Sequence, residues 1–317
     1  MIVKSSRKNL VLFLVLALLW SGSFINIKIV VNQLPPIFCA MMRVFISLCT
    51  LSILFALMRK KIFSMPSGSW KLWIAGLFAQ ALPFLFLFIG EQYIAPGLAS
   101  IINSTVTIWA LILGTLIFRD FSQWTSMKVG GIILGFIGIV LIFQPFIYRS
   151  ENSLLGIISV MGMAVSYAIG GLINQHVIFK KMSVKLETNL IQQHIASVIF
   201  LMLSSLSLET WPAWSSVLDS KLTFAFLYMG VMATACAWMI YFYLIREWGA
   251  VCAASVMYLV PVLAVIWDAL FLEIIPSGQE VLGMLTILLG VTLIQWVRKP
   301  TVVAYTPQVI PPCKMRY

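Results

Sequence analysis

Charge is what this sequence has least of. Asp, Glu, Lys and Arg make up only 10% of the 317 residues, against about a quarter in a soluble domain. A chain so poor in charge cannot clothe a water-facing surface, which excludes an ordinary soluble globule. Runs of about ten strictly alternating residues are also missing, which excludes a membrane β-barrel. There is no His-Glu-x-x-His pair, no pair of facing aspartates and no nucleotide-binding Gly-Lys-Ser/Thr loop. An intramembrane enzyme and an ATP-driven pump built from this chain alone are therefore excluded. Five cysteines (Cys39, Cys49, Cys236, Cys252, Cys313) and two histidines are all the soft ligands available. No pair has metal-ligand spacing, so the cysteines read as packing residues and no metal or cofactor is expected.

What the sequence does have is apolar length: 61% apolar residues and a mean hydropathy of +1.02. The apolar runs are about 20 residues long, enough for helices that satisfy their own backbone in hydrocarbon. Ten are predicted, over 9–31, 36–58, 70–90, 95–118, 126–146, 153–178, 187–208, 222–245, 249–272 and 279–297. The fold class expected is an all-α membrane protein. The first run follows Lys4, Arg7 and Lys8 but is too long for a signal peptide and lacks a small-x-small cleavage site. After Lys299, the tail 300–317 carries Pro300, Pro307, Pro311 and Pro312 without helical period and is expected to be disordered and cytoplasmic.

Orientation follows from the basic residues. With the N-terminus inside, seventeen of the 21 Lys and Arg fall in inner segments, among them Arg59–Lys61, Lys180, Lys181 and Lys185. Only Arg149 and Lys221 fall outside, while Lys28 and Arg43 lie within helices. This asymmetry explains the net charge of +11: the basic loops face an anionic inner leaflet of the cell membrane, not nucleic acid. Both termini are expected in the cytoplasm.

The second half repeats the first. Gly76, Ala79 and Phe88 match Gly230, Ala233 and Phe242, and Ala99, Val106 and Ala110 match Ala253, Val260 and Ala264. After a two-residue slip, Gly131, Gly138, Leu141 and Ile142 match Gly283, Gly290, Leu293 and Ile294. Five helices is an odd number, so the second repeat must insert upside down. The expected units are 1–148 and 149–299, two inverted five-helix repeats, a design carriers use to place a site between the halves.

Several residues then look like members of a known group. Leu19-Trp20-Ser21-Gly22-Ser23-Phe24 followed by Lys28, the Pro36, Ala40 and Arg43 of the second helix, and the spaced glycines 131/138 and 283/290 resemble the EamA-type, ten-helix members of the drug/metabolite transporter superfamily. The resemblance covers about 9–297. Phe118-Arg119 and Leu272-Glu273 stand where that family has Gly-Glu, and Thr107 stands where it has Pro. The resemblance implies export or exchange of small metabolites such as amino acids through a central cavity. A channel or a non-transporting membrane protein is the alternative, and a homodimer is open.

Polar groups inside apolar spans mark the candidate site. Ser100, Asn103, Ser104 and Thr107 share one face of the fourth helix, as a cavity wall or as helix–helix contact. Arg43 and Asp268 sit at comparable depths, as a gate, a substrate anchor or a buried ion pair. Ser23 belongs to the first-helix motif, and Trp20, Tyr167, Trp238 and Tyr258 fall near helix middles, where aromatics wall a cavity or pack a core. Glu91 and His194 are candidate titrating groups for coupling, against a solvated edge carboxylate and a helix-contact histidine. Lys28 is expected to snorkel.

Overall fold

The computed structural model describes residues 7–60, 68–94, 96–119, 121, 124–143, 153–182, 184–213, 217–263, 266 and 277–296. Among them there is helix and no strand. Seven helices are long and apolar enough to cross a membrane: α1 (Arg7–Val31), α2 (Pro36–Leu57), α3 (Trp70–Tyr93), α4 (Leu98–Ile117), α6 (Leu154–Phe179), α7 (Leu186–Leu208) and α8 (Ser220–Trp248). Three more are apolar but shorter: α5 (Ser126–Ile142), α9 (Ala250–Leu263) and α10 (Val281–Trp296). In the long helices only 44–56% of the most apolar stretch is buried. The other half, with Leu10, Leu14, Leu18, Ile53, Leu57, Leu203 and Leu206 exposed, is as apolar as the core. Such a surface suits lipid and not water.

Local chemistry sets where the helices begin and bend. Pro36 opens α2, and the amides of Ile37 and Phe38 donate to the Glu209 carboxylate at the end of α7 (2.7 and 2.8 Å). An anion there meets both free N–H groups and the positive end of the helix dipole. Gly249, at φ +82°, separates α8 from α9. At this sign of φ a side chain would be strained. α1 breaks at Gly22, whose carbonyl accepts from the Asn26 amide (2.7 Å). Wide π-turns interrupt α3 at Leu77–Ala81, α6 at Asn174–Met182 and α8 at Tyr228–Cys236. Those in α3 and α8 fall at matching places in the two halves.

Several of the main helix contacts recur when the first five helices are exchanged with the last five. α2 lies against α7 and α5 against α10; α3 on α6 is mirrored by α8 on α1, and α2 on α8 by α7 on α3. The α5–α10 crossing is the tightest. A Cβ at Gly131 would stand 2.5 Å from the Gly290 carbonyl, and one at Gly138 2.6 Å from the Gly283 carbonyl. These four glycines allow backbone to touch backbone, and their pairing makes α5 and α10 antiparallel. α2 and α7 are antiparallel too, since Ile37 meets Glu209 while Ser47 meets His194.

Candidate functional site

A cavity of about 30 Å³ lies in the centre of the bundle, lined by Trp20, Ser23, Phe24, Arg43, Leu87, Asn103, Tyr167 and Met257. It has room for a water or two and is an order of magnitude below a ligand pocket of a few hundred Å³. At this size it does not hold a metabolite. The Asn103 amide donates to Met257 Sδ (3.1 Å), and the two residues are 154 apart, which makes them repeat mates. Residues exchanged by a two-fold operation touch one another only near its axis. The cavity therefore sits where the halves meet.

Arg43 is the charged group of that wall. α2 carries it fully into the interior, where its Nε–H donates to the Thr234 hydroxyl (2.7 Å) and Nη2 to the Ala233 carbonyl (3.2 Å). The guanidinium carbon stands 4.3 Å from the centre of the Phe84 ring, a cation–π contact. The Trp20 indole donates to the same Ala233 carbonyl (3.0 Å). Thr234 lies in the wide turn of α8 and donates its own proton to the Met229 carbonyl (2.7 Å). Around this centre the rings of Trp20, Trp238, Tyr241 and Tyr167 stack edge-on or tilted at 5.1–6.3 Å.

Three residues of the cavity wall carry buried polar atoms without a partner: Ser23 Oγ, Arg43 Nη1 and Asn103 Oδ1. Buried groups are paired with few exceptions, and these three face one cavity. The wall holds a cation with a free N–H, a hydroxyl and an amide oxygen, enclosed by aromatic rings. It can grip an anionic group on one side and accept hydrogen bonds on the other.

The sequence-predicted residues separate. Trp20, Ser23, Arg43, Asn103 and Tyr167 come together at the cavity, with Trp238 packed behind them. The fourth-helix stripe does not stay one wall. The helix tightens at Ser104–Thr105, where Ser104 donates to its own Ile101 carbonyl (2.5 Å), and only Asn103 of the stripe lines the cavity. Ser100 is buried away from it, and Thr107 lies beside Tyr258, which packs on Gly135. Asp268 lies outside the described residues, so Arg43 is seen with Thr234 and Ala233. His194 does not line the cavity: its Nδ1 faces the Leu190 carbonyl (2.8 Å) and its Nε2 the Ser47 hydroxyl (2.9 Å). Glu91 is not a solvated edge carboxylate but fully buried. Lys28 reaches along its helix to the end of α3, where its ammonium donates to the Glu91 carbonyl (2.6 Å).

Sequence reasoning passed over Thr234 and Phe84. Thr234 stands 154 residues after Gln80, so the repeat alone could have pointed to it.

Comparison with known proteins decides the family. The profile of the EamA-like transporter family matches residues 7–144 and again 154–296. The chain belongs to the EamA-like transporter family. Its two matched stretches are the two halves whose packing exchanges, and it is a membrane transporter, not an enzyme. It is similar to an uncharacterized transporter of Archaeoglobus fulgidus, 28% identical over 87% of this chain and 94% of that one. It is also similar to a probable amino-acid metabolite efflux pump of Escherichia coli, 24% identical over 90% and 94%. A solved crystal structure shares the fold with a TM-score of 0.72 at 15% identity, covering 90% of this chain and 97% of that one.

Proposed function

We propose that this EamA-family protein is a secondary active carrier, an exporter or exchanger of small polar metabolites such as amino acids across the inner membrane. In this reading ten helices cross the bilayer, the halves 1–148 and 149–299 are inverted relative to each other, and both termini are cytoplasmic. The antiparallel packing of repeat mates α5 with α10 and α2 with α7 supports the inversion, and the basic inner loops support the orientation. The relative named for amino-acid metabolite efflux supports the substrate class.

One observation carries the reading: the unpaired Ser23 Oγ, Arg43 Nη1 and Asn103 Oδ1 meet at a closed cavity on the axis of the two halves. A zwitterion satisfies all three. Its carboxylate takes the free N–H of Arg43, a geometry guanidinium favours, and its ammonium donates to Asn103 and Ser23. Trp20, Tyr167 and Trp238 enclose the rest. Asp268, a candidate anchor from the sequence, lies outside the described residues. Because each half makes the same contacts, either end can be the closed one.

The test is a metabolite uptake screen in proteoliposomes, read by mass spectrometry. Saturable counterflow of an amino acid is expected; linear, non-saturating flux would make the protein a channel. Asn103→Leu is expected to lose uptake while keeping its melting temperature. Reporter fusions after Lys61, Ser150 and Lys299 are expected to read inside, outside, inside.

A further inference from the structure

Glu91 is 0% exposed, and neither oxygen of its carboxyl group has a hydrogen-bond partner. Among the described residues no cation forms an ion pair with it, although Lys28 and Arg43 act on it at longer range. Lys28, the cation facing it from α1, donates instead to the main-chain carbonyls of Glu91 and Ile94 (2.6 and 3.4 Å), where the last carbonyls of α3 attract a cation. Arg43, the cation facing it from α2, is held on Thr234 and Ala233. Among the described residues, α4 brings no charged group to Glu91. From α6 the nearest titratable group is Tyr167, which packs deeper against Phe84 and Trp238.

The surroundings are also tightly packed. Gly90 and Gly156 press α3 onto α6, so that a Cβ on either would come within 3.1 Å of the other's carbonyl. An ionised carboxylate with no donor in such a place is far more costly than a neutral carboxyl. Position adds the second half of the argument. Glu91 lies one turn beyond Leu87 on α3, and Lys28 one turn beyond Phe24 on α1, where Leu87 and Phe24 both line the cavity. The two residues form the layer that closes the cavity at this end.

We propose that Glu91 is a proton-binding site of the transport cycle, neutral while α1 and α3 are closed over the cavity and ionised when they part. On opening, the proton passes to the entering water, and the carboxylate becomes available to Lys28 and to the free N–H of Arg43. The coupling to a substrate rests on the carrier reading above; the proton site itself rests on the closed geometry.

Infrared spectroscopy of the purified full chain in an ester-free detergent, without substrate, tests this directly. The wild type is expected to show the C=O stretch of a protonated carboxyl at neutral pH. Glu91→Gln is expected to lose that band with an unchanged melting temperature, because a neutral amide replaces a neutral acid. Glu91→Asp is expected to shift the band and serves if Glu91→Gln does not fold. A wild type without the band, or a band that survives unchanged in both variants, overturns the proposal. Because no substrate is present, a failed uptake screen leaves this result standing, and a missing band leaves the carrier reading standing.

Discussion

The two halves make the same backbone contact and dress it differently. In one, Gly230 of α8 lets the helix approach Ile46 and the Arg43 carbonyl of α2; in the other, Gly76 of α3 lets it approach the Gln193 carbonyl of α7. Arg43 and Gln193 are therefore repeat mates, at an offset of 150 (193 minus 43) that the sequence match in neighbouring helices does not show. Where Arg43 leaves a donor free beside a cavity, Gln193 closes a network. Its amide donates to Asn174 and Asn189 (2.8 and 2.6 Å), and Asn189 donates to Asn174 (2.9 Å). One end of the pseudo-symmetric bundle thus keeps unspent polar capacity, and the other spends it on itself. The lesson is that the two repeats preserve how helices approach, while the side chains at that contact differ.

Substitutions at the two mates should have opposite signatures. Arg43→Met is expected to lower uptake at least ~100-fold with little change in stability, since an apolar isostere for a buried, partly paired cation is often neutral. An Arg43→Met protein that fails to fold would break the comparison. Gln193→Leu is expected to do the reverse. The orphaned Asn189 Oδ1 costs about 1–3 kcal/mol, seen as a lower melting temperature, while Asn174 keeps Asn189 and Gly170 and flux per folded molecule is unchanged.

The glycines test the contact the halves share. A Cβ at Gly76 meets main-chain atoms of Gln193 at 2.6 and 2.8 Å, and one at Gly230 meets Ile46 Cγ2 and Cβ at 2.5 and 2.6 Å, the Cβ being fixed by its backbone. Overpacking of this kind costs about 1–3 kcal/mol. Gly76→Ala and Gly230→Ala are both expected to lower the melting temperature. An unchanged melting temperature in either would contradict that. The smallest effect is expected from Thr234→Val, which removes one acceptor of Arg43 at nearly constant volume. It should weaken substrate affinity about fivefold, the equivalent of about 1 kcal/mol.

Much of this was legible in the residues. Apolar length and basic loops place the helices, because lipid demands both, and the spaced glycines 131, 138, 283 and 290 announce the α5–α10 crossing. Trp20, Ser23, Arg43, Asn103 and Tyr167 could be named because polar and aromatic groups are costly or conspicuous within apolar spans. Two things were hidden. Helical spacing puts Ser100, Ser104 and Thr107 on the face of Asn103, but the tightened turn at Thr105, whose amide donates to the Ile102 carbonyl, shifts the register of Thr107, and periodicity assumes a regular helix. The π-turns of α3 and α8 likewise carry no period, so the pairing of Arg43 with Thr234 could come only from coordinates. Glu91 looked like an edge residue by position along the chain; the glycine contact that buries it belongs to α6.

The most direct test of the central claim compares three proteins in one proteoliposome assay: wild type, Arg43→Met and Gln193→Leu, each normalised to folded protein. Saturable amino-acid counterflow in the wild type and Gln193→Leu, absent in Arg43→Met, is the predicted result. Counterflow in Arg43→Met equal to the wild type would contradict it.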